Sequence, residues 1–410
     1  MDRRKFLFTS GAAAGLAVLA PNYAPAARGV SIPGTPVDRI KPISPEERLA
    51  RQEQARKLMA EQQLDVILIE GGSSMHYFTG ASWGRSERLF AFFLPQKGEA
   101  FYIAPQFEEA RAKEQVGTAK LYTWSEDESP YELIAKLFKE KGWLTGNLGI
   151  EESTRYFVTE NIQQTLSSIQ LRSATSITAG CRSIKSIHEI TIMELANQFT
   201  AEVFSASVKQ LREGMTEAEY GKIISGEFAK AGVSGGALVL FGEASAYPHG
   251  LKKENKLKPG DIVLMDGGCT VEGYESDVTR TTVYGKASDK MKSVWDIVHQ
   301  AQAAGLKAAR PGVTAESVDA AARQVITGKG YGPGFRFFTH RLGHGIGLDG
   351  HEWFYLVGGN KRLLQTGNMF SNEPGIYIPG EFGIRLEDEM LITQDGARLL
   401  LPPQESLELV

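Results

Sequence analysis

The most informative segment of the chain is Asp261-Ile262-Val263-Leu264-Met265-Asp266-Gly267-Gly268, in which a β-rich apolar run ends in an acidic residue and two glycines. A returning strand would carry Asp277, which lies 11 residues beyond Asp266. With a two-residue turn at Val271-Glu272 or at Glu272-Gly273, cross-strand pairing places both carboxylates on one face, as direct or diagonal neighbours. The stretch therefore predicts a β-hairpin that carries a close pair of carboxylates.

A second acidic pair follows the same pattern downstream. Glu373 and Glu387 flank Pro379-Gly380-Glu381, and a three-residue loop there would set the two carboxylates opposite each other. Like charges held this close repel, and exposure to water, a retained proton or a bound cation can relieve the repulsion. Between the pairs, His340 and His344 lie in a glycine-rich run, and His344 is the expected fifth ligand. These residues together predict a site for divalent metal ions.

The pattern of apolar residues divides the 410-residue chain into segments. Residues 27–46 contain four prolines and predict a linker or extended arm, and residues 47–180 predict an α/β domain. Residues 181–410 predict two helices before a hairpin, the second helix starting at a Thr216–Glu219 capping box, and this order recurs downstream. The expected elements are helices over 47–64, 131–141, 186–212, 289–309 and 315–326, and strands over 66–69, 89–94, 100–104 and 148–150. The predicted fold is thus an α/β domain followed by an α+β domain with internal two-fold duplication.

Five ordered motifs resemble those of the metallopeptidase family that includes proline aminopeptidases, prolidases and methionine aminopeptidases, which share the pita-bread fold. The motifs are MDGG at 265–268, SDVTR at 276–280, GHGIGLDGHE at 343–352, NEPGIY at 372–377 and GIRLED at 383–388. The resemblance covers residues 186–393 strongly and the preceding α/β domain more loosely, as in the creatinase and prolidase type of N-terminal domain. It implies two divalent ions, with Asp277 and Glu387 bridging them, held by the ligands Asp266, Asp277, His344, Glu373 and Glu387.

The same resemblance implies roles for other residues around the substrate. A hydroxide that bridges the two ions would attack the carbonyl carbon before proline, and His351 would donate to the developing oxyanion. Glu373 would pass the proton to the proline nitrogen, because a tertiary amide nitrogen leaves poorly until it is protonated. His249 would position the substrate. Arg385 leaves three alternatives open, namely a ligand carboxylate, the substrate, or a purely structural ion pair.

The domain-sized stretch before the motifs favours the proline-directed branch of the family, because a methionine aminopeptidase needs no such domain. The expected activity is hydrolysis of the Xaa-Pro bond in proline-containing peptides, and the alternative is a non-catalytic peptide-binding or scaffold paralogue. Whether dipeptides or longer peptides are cleaved stays open, with Arg385, Lys361 and Arg362 as candidates for binding a free carboxylate. Residues 352–357 are more aromatic than the family's usual pattern. Manganese is the metal expected from the family, although cobalt, zinc and iron suit the same ligands.

The remaining features concern location and assembly. Arg3 and Arg4 before an apolar run at residues 11–20 resemble a twin-arginine export signal over residues 1–26, so we expect a periplasmic or otherwise exported protein without a membrane span. A net charge of −4 offers no general attraction for nucleic acid. Cys181 and Cys269 allow at most one disulfide, and a small buried side chain is the favoured interpretation for Cys269. The resemblance also implies a homodimer.

Overall fold

The computed structural model describes residues 41–253 and 255–408. The export signal predicted over residues 1–26, and all but the last six residues of the segment predicted as a linker, lie outside the described residues. Within the described ranges, none of the helices combines the length and the apolar character that a bilayer span requires.

The first part of the described chain folds into a six-stranded mixed sheet with helices on both faces. Its elements are α1 (Pro45–Gln62), β1 (Val66–Glu70), α2 (Ser73–Thr79), β2 (Ala91–Pro95), β3 (Phe101–Pro105), a 3-10 turn (Gln106–Glu108), α3 (Glu109–Val116), β4 (Lys120–Trp124), α4 (Pro130–Lys141), β5 (Asn147–Ile150), α5 (Tyr156–Thr165), β6 (Gln170–Ser173) and α6 (Thr175–Ser183). The strand order is β4-β3-β2-β1-β5-β6, with β1 antiparallel to β2 and β2 antiparallel to β3. The α/β domain and its hairpin are therefore confirmed.

The central strand β1 shows why the apolar run at residues 66–69 is continuous. Ile67 and Ile69 pack into the core on the side of α1 and α6, whereas Val66 and Leu68 pack into the core on the side of α4 and α5. Successive side chains of a strand point to opposite faces, so a strand covered on both faces must be apolar at every position.

The first helix begins two residues earlier than predicted. Ser44 accepts a hydrogen bond from the Glu47 backbone N–H, and the Glu47 carboxylate accepts one from the Ser44 backbone N–H. This capping box, with Pro45 at the first helical position, places the start of α1 inside the segment that was predicted to be a linker. The prolines of that segment concealed a helix start, because proline is tolerated in the first helical turn.

The second part of the chain carries two long helices, a hairpin sheet, two further helices and a second set of hairpins. Its elements are α7 (Ile187–Val208), α8 (Glu217–Lys230), β7 (Ser234–Phe241), a 3-10 turn (Gly242–Ala246), β8 (Ile262–Val271), β9 (Tyr274–Glu275), β10 (Val278–Val283), α9 (Asp289–Ala308), α10 (Ala315–Gly328), β11 (Gly343–Gly345), β12 (Glu352–Leu356), β13 (Met369–Asn372), β14 (Gly375–Ile378), β15 (Phe382–Arg385), β16 (Asp388–Ile392) and β17 (Ala397–Leu399). The strand order of one sheet is β10-β8-β7, with β9 paired to β8. A five-stranded sheet has the order β12-β11-β13-β16-β17, and β14 pairs with β15. The repeated order of two helices before a hairpin matches the predicted duplication.

The α7 helix ends at Val208, four residues before the predicted end. The amides of Gln210 and Leu211 donate to carbonyls three residues back, so the chain tightens and turns away from the helix axis. The capping box of α8, between Thr216 and Glu219, is present as predicted.

The two parts of the chain meet through buried charges. Arg51 of α1 lies 3.4 Å from Glu189 of α7 and donates to the Tyr274 hydroxyl at 3.0 Å. Lys185, in the segment between α6 and α7, lies 2.9 Å from a carboxylate oxygen of Glu352 at the start of β12. The N-terminal domain therefore packs directly against β9, in the first acidic hairpin, and against the start of β12, which follows His344 and His351.

The two cysteines do not form the disulfide that the sequence allowed. Both thiols are free and buried, and the Cys269 thiol lies against the Ala196 carbonyl and the hydroxyls of Thr200 and Ser276. Cys181 packs in a core of the N-terminal domain. The interpretation of Cys269 as a small buried side chain is confirmed.

Candidate metal centre

The first acidic hairpin is formed by β8, β9 and β10. Its turn is Glu272-Gly273, the second of the two predicted alternatives, and both turn residues have positive φ values of 50° and 83°. Positive φ at both positions is what a type I′ turn requires. The register places Asp266 opposite Thr279, so Asp277 is the diagonal neighbour of Asp266 on the same face.

The second acidic hairpin closes through the predicted three-residue loop, since Ile378 pairs with Phe382. By register Glu373 and Glu387 lie opposite each other, between the ladder of β14 with β15 and the ladder of β13 with β16. A backbone bridge between Thr279 and Glu387 joins this hairpin to the first one. The two carboxylate pairs, predicted separately, thus meet at one place.

All five predicted metal ligands converge there. Their donor atoms form three overlapping groups, each within 4.8 Å: Asp266, Asp277 and Glu387; His344, Glu373 and Glu387; and Asp277, His344 and His351. The Nε2 atom of His344 lies 3.4 Å from a Glu373 oxygen and 3.7 Å from an Asp277 oxygen. Its Nδ1–H donates to the Gly345 carbonyl at 3.0 Å, which leaves the Nε2 lone pair available to a cation.

The electrostatics of this cluster favour a bound cation. Burial, reinforced by the neighbouring carboxylates, raises the pKa of Asp277, Glu373 and Glu387 well above the usual range. Burial and the charge of His351 lower the pKa of His344 to about 3, so its imidazole is neutral at physiological pH. One Glu387 oxygen is buried without a hydrogen-bond partner among the described residues. Carboxylate oxygens and a neutral imidazole are donors for hard and borderline divalent ions, so these residues fit the metal that the motifs imply.

Arg385 pairs with a ligand carboxylate, one of its three predicted alternatives. Its guanidinium contacts the Asp266 carboxylate and donates to the Thr279 hydroxyl at 3.0 Å, to the Tyr377 hydroxyl at 2.8 Å and to the Pro248 carbonyl at 3.3 Å. The side chain is buried, and four of its five N–H groups are occupied. The guanidinium therefore faces the ligand Asp266, and binding of substrate by Arg385 stays a prediction.

A hydrogen-bonded chain behind the ligands went unpredicted. The Tyr377 hydroxyl accepts from Arg385 and lies 2.7 Å from Nε2 of His340, whose Nδ1–H donates to the Arg341 carbonyl at 2.8 Å. The Thr279 hydroxyl lies 2.9 Å from an Asp266 oxygen and 2.6 Å from a Glu387 oxygen. Strand alternation could have identified Thr279, which lies two residues after Asp277 on the same face, whereas no local signal marks the Tyr377 contact.

The two histidines predicted around the substrate lie at the exposed side of the cluster. The His351 ring stacks on the His344 ring with centroids 3.7 Å apart, and its Nδ1 lies 3.1 Å from a guanidinium nitrogen of Arg341. His249 is exposed and close enough for its charge to lower the pKa of His351, although burial and Arg341 are the larger causes. His351 therefore lies beside the metal ligands, and its role towards the substrate stays a prediction.

Comparison with known proteins agrees with this architecture. Residues 51–184 match the Creatinase/Prolidase N-terminal domain, and residues 191–394 match Metallopeptidase family M24. An uncharacterized peptidase of Schizosaccharomyces pombe is 38% identical over 371 residues, covering 85% of this chain and 80% of the relative.

Solved structures show the same two-domain arrangement. The dipeptidase PepE from Mycobacterium ulcerans superimposes with a TM-score of 0.84 at 31% identity, covering 90% of this chain and 99% of that one. The Xaa-Pro dipeptidase from Bacillus anthracis superimposes with a TM-score of 0.78 at 30% identity, covering 88% and 99% of the two chains. The chain therefore belongs to metallopeptidase family M24, with a creatinase/prolidase N-terminal domain in front of a pita-bread peptidase domain.

Proposed function

We propose that the protein hydrolyses the peptide bond before proline, with two divalent ions held by Asp266, Asp277, His344, Glu373 and Glu387. The observation that carries the proposal is the convergence of these five side chains in overlapping groups with donor atoms within 4.8 Å. Four carboxylates at this distance repel unless a proton or a bound cation relieves the charge, and the neutral imidazole of His344 among them favours a cation. When bound, such ions supply Lewis acidity, which polarises a carbonyl and lowers the pKa of water.

The protein's own groups account for the movement of protons. Glu373 lies in the cluster and is buried enough for its pKa to be raised well above the usual range, mainly by burial and then by Glu387. As a carboxylate of this cluster, Glu373 is placed to accept a proton from water and return it to the proline nitrogen. The Ser371 hydroxyl, 3.1 Å from a Glu373 oxygen, helps to orient the carboxylate.

His351 is oriented to donate a hydrogen bond. Because arginine has no acceptor, Nδ1 of His351 must accept from Arg341, and the ring proton then resides on Nε2. A neutral imidazole with this tautomer can donate to an oxyanion that forms on the carbonyl oxygen. His249 lies on an adjacent exposed loop, whose Pro248 carbonyl is held by Arg385, and we assign it to the positioning of substrate.

The preference for proline is supported by the relatives rather than by the metal site. The N-terminal domain is of the creatinase/prolidase type, and the solved structures similar to this chain include an Xaa-Pro dipeptidase. A site of carboxylates and imidazole alone would serve hydrolysis of many peptide bonds.

The proposal is tested by measuring metal content and peptide hydrolysis on the same preparations. The metal-reconstituted protein, with Mn²⁺ as the probe, is expected to bind two ions per chain and to release proline from an Ala-Pro dipeptide faster than alanine from Ala-Ala. Asp277→Asn is expected to lose at least one ion and about 100-fold or more in kcat/KM, because Asp277 belongs to two of the three donor groups that would hold the ions. Asp296→Asn, an exposed residue of α9, serves as the matched control and is expected to retain both properties.

Two results would overturn the proposal. Full turnover by Asp277→Asn would show that the five residues are not the catalytic site. Stoichiometric metal binding without hydrolysis of any proline peptide would favour the alternative, a peptide-binding or scaffold paralogue.

A further inference from the structure

Arg341 is a cation beside the candidate metal centre that lacks an acidic partner in the described part of the chain. Among the residues that the structure describes, no carboxylate lies within 4.0 Å of its guanidinium, and its side-chain hydrogen bond goes to Nδ1 of His351 at 3.1 Å. Two other arginines of the same domain have acidic partners, Arg280 with Asp388 at 2.6 Å and Arg323 with Asp319 at 2.9 Å. A partly buried, unpaired guanidinium indicates a position for an external anion.

The guanidinium is held in place without using most of its donors. Its Cζ lies 3.8 Å from the centroid of the Tyr355 ring, and such stacking occupies the face of the guanidinium but not its N–H groups. The Arg341 backbone carbonyl accepts from Nδ1–H of His340, which fixes the base of the side chain. With one donor on His351, the remaining N–H groups can form the parallel pair that a carboxylate accepts.

The position of Arg341 suits a carboxylate very close to the bond that is cleaved. Tyr355 pairs across the sheet with His344, and His351 contacts Arg341 through Nδ1 and the His344 ring by stacking. In a dipeptide that ends in proline, only one carbon separates the carboxylate from the scissile nitrogen, so its oxygens lie roughly 3 to 4 Å from that nitrogen. In a longer peptide, this position is taken by an uncharged amide.

The three residues considered from the sequence are less suited to this task. Arg385 is buried with four of its N–H groups occupied, and the Lys361 ammonium is paired with Glu316. Arg362 stacks on Trp353 at 3.9 Å and also lies over the ring of Phe354. Unlike Arg341, none of the three forms a hydrogen bond with His351.

We infer that Arg341 binds the free C-terminal carboxylate of the substrate, which makes Xaa-Pro dipeptides, rather than longer peptides, the substrate class. This inference rests on the proposed function and adds to it the residue that determines substrate length. A bidentate guanidinium–carboxylate pair favours the acid over the neutral amide by the strength of a charged hydrogen bond.

The test compares Ala-Pro with its C-terminal amide on the Mn²⁺-reconstituted protein. The wild type is expected to favour the acid in kcat/KM by about 10- to 100-fold, the range of a charged hydrogen bond. In Arg341→Met the value for the acid falls by that factor and the value for the amide stays within about threefold, because methionine retains the apolar stem but not the charge. Arg341→Lys is expected to recover part of the preference. Arg111→Met, which removes an arginine stacked on the Trp83 ring in the N-terminal domain, is the matched control and keeps the wild-type ratio.

A binding measurement separates this inference from the proposed function. The ligand is the Ala-Pro analogue with a methylene in place of the scissile carbonyl, as free acid and as amide, and its affinity is measured by calorimetry. An acid preference that disappears in Arg341→Met supports the inference even if no preparation hydrolyses a proline peptide, a result that would overturn the proposed function alone. Equal binding of acid and amide by the wild type, or an equal loss for both in Arg341→Met, would overturn the inference.

Discussion

Replacing Glu352 with glutamine is expected to destabilise the protein at neutral pH, because Glu352 is the anion of the buried network between the two domains. One carboxylate oxygen lies 2.9 Å from the Lys185 ammonium, and the other contacts the guanidinium of Arg182. The Leu348 backbone N–H donates to the same carboxylate at 3.0 Å. Glutamine keeps the shape and one acceptor oxygen, so the substitution chiefly removes the charge.

The magnitude follows from the pKa of the carboxylate. Burial would raise the pKa of Glu352, but the charges of Lys185 and Arg182 outweigh it and lower the pKa from the usual 4.5 to about 2. This difference corresponds to about 3 kcal/mol of folding free energy at pH 7. Because the folded-state pKa is the lower one, the stabilisation is present above the unfolded-state pKa and is lost as the pH falls through the folded value. At pH 3 roughly half of this stabilisation remains.

Urea unfolding followed by tryptophan fluorescence measures this effect. Glu352→Gln is expected to unfold at a lower urea concentration than the wild type at pH 7, with a smaller gap at pH 3. Glu316→Gln is the matched control, since its partner Lys361 is 74% exposed and a solvent-screened pair contributes little. Equal midpoints for Glu352→Gln and wild type at pH 7, or a gap that does not change with pH, would refute the electrostatic argument.

Three further perturbations test other parts of the structure. Gly343→Ala is expected to fold poorly, because the added Cβ would lie 1.9 Å from the Ser371 carbonyl oxygen. Gly328→Ala, in open space at the end of α10, is the control and keeps or raises the melting temperature, so equal melting temperatures for the two variants would contradict this packing. A thiol-reactive dye is expected to label neither Cys181 nor Cys269 in the folded protein and to label both in urea. Both thiols are buried, and burial raises the pKa of the Cys181 thiol to about 12. Rapid labelling of the native state would contradict this prediction. Mn²⁺ binding at pH 7 is expected to release protons, because the buried ligand carboxylates have raised pKa values without metal. The calorimetric heat of binding should therefore change with the ionisation enthalpy of the buffer, and a buffer-independent heat would contradict the prediction.

Much of the site was predictable because its hairpins are local. Alternation along β8 and β10, with a two-residue turn, is enough to place Asp266 and Asp277 on one face, and a three-residue loop does the same for Glu373 and Glu387. Capping boxes at Ser186 and Thr216 likewise depend on residues three apart. The predicted helix ends were wrong at the start of α1 and at the end of α7. At these ends a proline in the first turn or a tightened last turn changes the backbone hydrogen bonds without a clear signal in the sequence.

Short-range geometry and the two-residue period of a strand were enough to predict the hairpins, their turn lengths and the ligand pairs. The contacts between distant elements could not be predicted in this way: Thr279 bridges to Glu387, Arg385 faces Asp266, and Lys185 pairs with Glu352, 167 residues away. Such contacts depend on how whole elements pack, and packing is the sum of many weak contacts across the core rather than a property of any one stretch. The same packing places Arg341 beside His351.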